Sequence, residues 1–278
     1  MKHFYCLSLM ALVLWSCSKS PDLEVTSEKP TVPTTFATKA ISGTSVENYA
    51  IYIYGSDTTL LAKVSGLTSE EPVPVNLPYL EDLKAIVVAN GESSTTQTDS
   101  LTTLRISLGS QCENEIFVSD IVSFKTDAAD KSIELNLKRI VGKVSFIPTE
   151  TEAEINAVSQ FDAIAVSFTN PITAFYPGAK ADVQYETTPV VTVNTDKSKG
   201  FAASIFSYPN ANVKIALEYS LNKTVVNATK EDIPENGIDV KTSVNGQVAM
   251  SLYESYFLTD EFTKSFGKPA VTVNYLEF

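Results

Sequence analysis

Histidine is almost missing from this sequence: the one example, His3, stands ahead of an apolar block near the start. Everything after that block lacks the commonest general base, which excludes Ser-His-Asp and Cys-His catalysis and histidine-ligated zinc or iron. Tryptophan also occurs once, as Trp15 inside the block, so the rest of the chain has no indole. Of three cysteines, Cys6 lies in the block and Cys17 at its end, leaving Cys112 with no partner for an internal disulfide. Flanked by Gln111 and Glu113, Cys112 reads as a passive residue, since a neighbouring acid raises a thiol's pKa. Positive charge is scarce too, with 21 Lys and Arg against 33 Asp and Glu. That balance lacks the basic footprint needed for nucleic acid or for anionic lipid. Helical periodicity is weak throughout, and only residues 96–104 and 150–160 read as short helices. No repeat of 20–50 residues suggests a solenoid or propeller.

What is present begins with Lys2 and His3 followed by an apolar run from Phe4 to Trp15, the layout of a secretory signal peptide and too short to span a bilayer. Leu14-Trp15-Ser16-Cys17 resembles a bacterial lipobox, which implies cleavage before Cys17 and lipidation of that cysteine. Each buried methylene contributes about 0.8 kcal/mol and one chain anchors only marginally, so several acyl chains would make attachment effectively permanent. Removal of residues 1–16 leaves 20 basic and 33 acidic residues, a net charge of −13. The membrane contact is therefore expected to be the lipid alone.

Residues 18–35, rich in Ser, Thr, Pro and charge, read as a linker, so 17–35 form a lipidated N-terminus and tether. Beyond them, short runs rich in β-branched and aromatic residues recur between turn-forming residues, as in YAIYIYG (49–55), LKAIVVANG (83–91), FDAIAVSFTN (161–170) and NVKIALEYS (212–220). The pattern is all-β and suggests sandwiches. In the run 132–148, Ile133, Leu135 and Leu137 alternate on odd positions whereas Ile140, Val144 and Phe146 fall on even ones. An inward face cannot switch without a bulge or a change of sheet. The economical division is a sandwich over 36–138 and a second over 139–278.

The signal, the acidic histidine-free remainder, and the stretches IVVAN (86–90), IELNLKRIVGKVSF (133–146) and FDAIAVSFTNPITAFYPG (161–178) together resemble the fimbrillin superfamily of bacterial outer-membrane pilus proteins. The resemblance implies two tandem transthyretin-like β-sandwich domains, a location on the outer membrane or fimbrium, and assembly with other fimbrial subunits by strand exchange. Polymerising stalk subunits of that group are cut after an arginine near the first strand. No arginine precedes Arg105 here, so the resemblance implies an anchor or accessory subunit, with Lys39 as a candidate alternative cleavage point. The C-terminal stretch KPAVTVNYLEF is extended and apolar. Val271, Val273, Tyr275 and Phe278 mark it as a candidate donor strand, or else as an edge strand of its own sheet.

A rival expectation is a surface glycan-binding lipoprotein, with Tyr49, Tyr52, Tyr54, Tyr176, Tyr208, Tyr219, Tyr253 and Tyr256 as stacking candidates against the commoner role of strand packing. Acid pairs at Glu70-Glu71, Glu81-Asp82 and Glu231-Asp232 admit glycoside hydrolysis in principle but sit in loop-like contexts that read as solvated surface. TDAADKS (126–132) lacks the spacing of a calcium loop and reads as a turn. The expectation is a non-enzyme with no catalytic residues, no cofactor and no metal.

Overall fold

The computed structural model describes residues 31–39, 46–68, 71–80, 82–126, 131–151, 153–155, 162–179, 184–222, 224–228, 233–252 and 270–278. The described chain is nearly all β. Its first part forms β1 (Thr31–Lys39), β2 (Tyr49–Tyr54), β3 (Leu60–Leu67), β4 (Val73–Pro78), β5 (Leu83–Ala89), β6 (Thr95–Thr96), β7 (Arg105–Ser107), β8 (Phe117–Ser119), β9 (Val122–Phe124) and β10 (Lys131–Arg139). There follow β11 (Gly142–Pro148), β12 (Ala163–Thr169), β13 (Ile172–Phe175), β14 (Tyr185–Thr187), β15 (Val190–Asp196), β16 (Ala203–Ser207), β17 (Asn212–Leu221), β18 (Thr224–Ala228), β19 (Ile233–Asp239), β20 (Val244–Met250) and β21 (Thr272–Glu277).

Four sheets result. The first runs β3-β2-β5-β8-β10-β1-β4, with β9 also paired to β5; the second runs β16-β11-β20-β21; the third runs β15-β12-β17-β18, with β19 on β17. The fourth, β14-β13-β7-β6, draws two strands from before β10 and two from after it.

The unbroken apolar runs of β2 and β5 are explained by burial on both faces. Tyr49, Ile51, Ile53, Ala85 and Val87 face a core shared with Phe36, Ile133 and Leu135. Ala50, Tyr52, Tyr54, Ile86 and Val88 face a larger core that continues through Ile106, Val144, Phe168, Tyr208 and Val248. At about 1.5–3 kcal/mol for each fully buried large apolar side chain, this second face is as important to stability as the first.

The switch of inward face has a simple cause. Ile133, Leu135 and Leu137 are buried in the first sheet, the chain leaves that sheet after Arg139, and it enters the second at Gly142 with Val144 and Phe146 buried. Gly142 is confined there, because a Cβ would lie 2.3 Å from the carbonyl oxygen of Lys241.

Two expectations need correction and a third is met in part. Strand β1 begins at Thr31, so residues 31–35 are sheet, not the end of a linker. Residues 96–104 contain turns and strand, with no helix. Within 150–160 the short-helix expectation meets helical residues at 153–155, and residues 152 and 156–160 lie outside the described residues. A reciprocal cap stabilises the helical residues, with the Thr151 backbone N–H donating to Glu154 Oε2 at 2.8 Å and the Glu154 N–H reaching Thr151 Oγ1 at 3.4 Å.

Candidate functional site

Strand β1 is seated between two partners of opposite sense. Thr34–Lys39 runs parallel to Lys131–Asn136 of β10, and Thr31–Phe36 runs antiparallel to Val73–Pro78 of β4. Phe36 is fully buried and meets Phe124 edge-on, ring centroids 5.7 Å apart. The same inward face carries Thr34 and Thr38, both buried, and neither hydroxyl has a hydrogen-bond partner. A buried hydroxyl without a partner costs about 1–3 kcal/mol. Pro33 adds a missing backbone donor just before the β10 ladder begins. The seat therefore holds its strand through main-chain ladders and one aromatic anchor, while two inward side chains fit it poorly.

Lys39 is the last residue of β1. Its ammonium lies 3.0 Å from Glu134 Oε2, and both side chains are 59% exposed, so the pair is solvated and contributes little. Residues 40–45 follow outside the described residues, as does Cys17.

Strand β21 is the edge of the second sheet, antiparallel to β20, with Val273 opposite the buried Val248. Only Val273 packs against the core, while Tyr275, Leu276 and Phe278 are 47%, 50% and 39% exposed. The four donor candidates do not share one face: Val271, Val273 and Tyr275 alternate on one side and Phe278 falls on the other. Phe278 is clasped from outside the strand. The Arg139 guanidinium stacks 4.6 Å from its ring and donates to its main-chain oxygen, and Phe206 lies 6.4 Å away. Lys241 stands 5.5 Å over the Tyr275 ring.

A polar cluster bonds the two sides of the fourth sheet. Arg105 of β7 grips Glu186 of β14 with two N–H donors at 2.9 and 3.1 Å, and the Tyr176 hydroxyl donates to the same carboxylate at 3.0 Å. The Arg105 bonds hold the Glu186 carboxyl below its ordinary range. Beside it the fully buried Tyr208 donates its hydroxyl to the Ile106 carbonyl at 3.0 Å, and burial pushes that phenol upward.

Other sequence candidates disperse. Tyr49, Tyr52, Tyr54, Tyr208 and Tyr219 are core residues and offer no platform to a sugar. Tyr253 and Tyr256 lie outside the described residues, as do Glu70, Glu81, Glu231, Asp232 and residues 127–130 of the acidic turn. Cys112 is buried, and desolvation pushes its thiol up to about 12, so it is not a nucleophile at neutral pH. Among the described residues no cluster of His, Cys, Asp and Glu is arranged to hold a metal. The orphan hydroxyls of β1 escaped sequence reading. Their signal is threonine at the inward positions 34 and 38, where β2 and β5 place mostly larger apolar residues.

No protein-family model matches the chain, and no curated protein matches it in sequence. Its fold is nevertheless shared. A candidate polysaccharide-binding protein from Bacteroides thetaiotaomicron superposes with TM-score 0.53 at 11% identity, over 89% of this chain and 98% of that one. A candidate cell adhesion protein from Bacteroides ovatus gives 0.52 at 10%, over 89% and 98%. One from Bacteroides eggerthii gives 0.50 at 12%, over 90% and 97%. The chain thus has, along nearly its whole described length, the fold of these solved Bacteroides proteins.

Proposed function

We propose that this chain is a lipid-anchored fimbrial structural subunit, of the anchor or accessory type, built as two tandem transthyretin-like sandwiches, the first opening with β1 at Thr31 and the second following residue 138, which share the fourth sheet, and joined to other fimbrial subunits by strand exchange. It is held to the outer membrane through Cys17 and performs no catalysis. The observation that carries the reading is β21, an edge strand with Val273 packed on the core, whose Tyr275 and Leu276 are exposed together with the flanking Val271 and Phe278. An extended segment of this kind has more to gain from a neighbour's groove, where main-chain bonds and alternate side chains are both satisfied, than from its own sheet edge. The poorly fitted inward side of β1 supports the complementary role, a seat whose occupant can be replaced. The fold shared with solved proteins named for cell adhesion agrees with a surface role.

Deleting residues 269–278 tests it. The truncated lipoprotein is expected to remain folded and membrane-bound while losing co-purification with fimbrial subunits. A truncated chain that unfolds shows β21 to be an integral strand, and one that still co-purifies shows that attachment runs through another surface; either result overturns donation by β21.

A further inference from the structure

A cleft of about 790 Å³ opens on the side of the second sheet that faces away from the core. Strand register explains its lining. Lys143 and Ser145 of β11 lie beside Asn245 and Gln247 of β20, while Val144, Phe146 and Val248 between them are buried. The first four therefore project together from the outward face. The Ser145 hydroxyl donates to Asn245 Oδ1 at 2.9 Å, which leaves both amide N–H donors of Asn245 for a ligand. Asn194 of β15 and Gln111 bring two further carboxamides to the lining, and Lys199, in the turn after β15, a second ammonium.

We propose that this cleft binds a carboxylated oligosaccharide, a role that stands whether or not the chain exchanges strands. A carboxamide offers two donors and an acceptor in one plane, and adjacent sugar hydroxyls each donate and accept, so a row of carboxamides fits a saccharide edge. Pockets for apolar small molecules are walled mainly by aliphatic and aromatic groups, whereas this lining mixes amides, hydroxyls and charge with Phe146, Ile147, Val193 and two alanines, a combination that suits the polar edge and apolar face of a sugar. The charge selects the acid. Lys143 and Lys199 face one carboxylate in the lining, Glu113, and among the described residues neither lysine has an ion-pair partner within 4 Å. The Asp196 carboxylate near Lys199 offsets part of that charge, but in a chain of 33 acids and 21 bases two ammonium groups without a direct ion pair in one cleft still create a local field that favours a carboxylate. Lys143 also rests 5.8 Å over the Phe206 ring, a contact that steadies the side chain without neutralising it.

The test is calorimetric titration of the full chain in detergent with two matched pairs of probes: tetragalacturonate against its carboxyl-reduced counterpart, and 3′-sialyllactose against lactose. At least one carboxylated probe is expected to saturate and to bind about fivefold or more tighter than its neutral partner, an advantage that shrinks as ionic strength rises. Gln247→Ala should weaken binding by about tenfold. Lys143→Gln with Lys199→Gln should erase the preference for the acid while keeping the polar character of the lining. All these side chains face outward, so circular dichroism melts should match the parent. No saturable binding in either pair, equal binding of acidic and neutral probes, or variants that bind like the parent would each overturn the assignment.

Discussion

Thr34 and Thr38 offer a direct measurement of how well β1 fits its seat. Each buries a hydroxyl with no partner, and each lies on the face that carries Phe36 into the core with Ile133 and Leu135. Valine keeps the shape of threonine and removes the group that must be desolvated. With an unmet hydroxyl costing about 1–3 kcal/mol, Thr34→Val should gain about 1 kcal/mol and the double variant with Thr38→Val about 2 kcal/mol. For chains approaching this length, each kcal/mol moves a melting temperature by roughly 2–4 °C. Urea unfolding followed by fluorescence should show a higher midpoint with an unchanged slope. Thr35→Val, on the opposite face of the strand, should leave the midpoint where it was. The functional corollary is that the double variant should take up a synthetic peptide of residues 270–278 more slowly than the parent, because the resident strand is harder to displace. A midpoint that stays level or falls in the double variant refutes the reasoning, since the hydroxyls would then be making bonds worth keeping.

Cys17→Ala should abolish metabolic labelling by an alkyne fatty acid and move the protein out of the detergent-extracted membrane fraction; labelling that persists rules out Cys17 as the lipid attachment point. Mass spectrometry of assembled surface material should find the Cys17 peptide still attached, whereas a new N-terminus at Ala40 would make the chain a polymerising subunit cut after Lys39. Glu186 gives a pH dependence. Its folded-state carboxyl titrates below the ordinary value of 4.5, so its contribution is present above about pH 4.5 and is lost as pH falls through the lowered value. Acid unfolding of Glu186→Gln should lack that component, and an acid limb identical to the parent's would show the Arg105 contact to be worth nothing.

The sequence makes some elements plain and hides others for physical reasons. Long strands such as β10 and β12 declare themselves by alternation, because one face is buried along their whole length. The switch at Arg139 is legible for the same reason. Strand β1 is half hidden, since Thr31–Thr35 contains Pro33 and four small or β-branched residues that read equally well as tether. Strands β6, β7 and β14 have two or three residues each, too few for any periodicity, and exist because distant partners supply their hydrogen bonds. Tyrosine is ambiguous by chemistry, as an apolar ring with a polar tip suits both a core and a binding face. At Tyr52 and Tyr208 burial decided it. The carboxamide row is invisible until register is known, because Lys143, Ser145, Asn245 and Gln247 become neighbours only when β11 and β20 pair in parallel.

The fourth sheet limits how the chain can be dissected. Cutting at residue 138 would leave β13 and β14 without β7, strip the Tyr208 hydroxyl of its acceptor at Ile106, and free Glu186 from Arg105. The Cys112 carbonyl would also be separated from the Phe206 N–H it accepts at 2.7 Å. Neither piece would carry the fourth sheet whole, so transplanting half of this chain into another protein would require the strands between residues 95 and 187 to travel together.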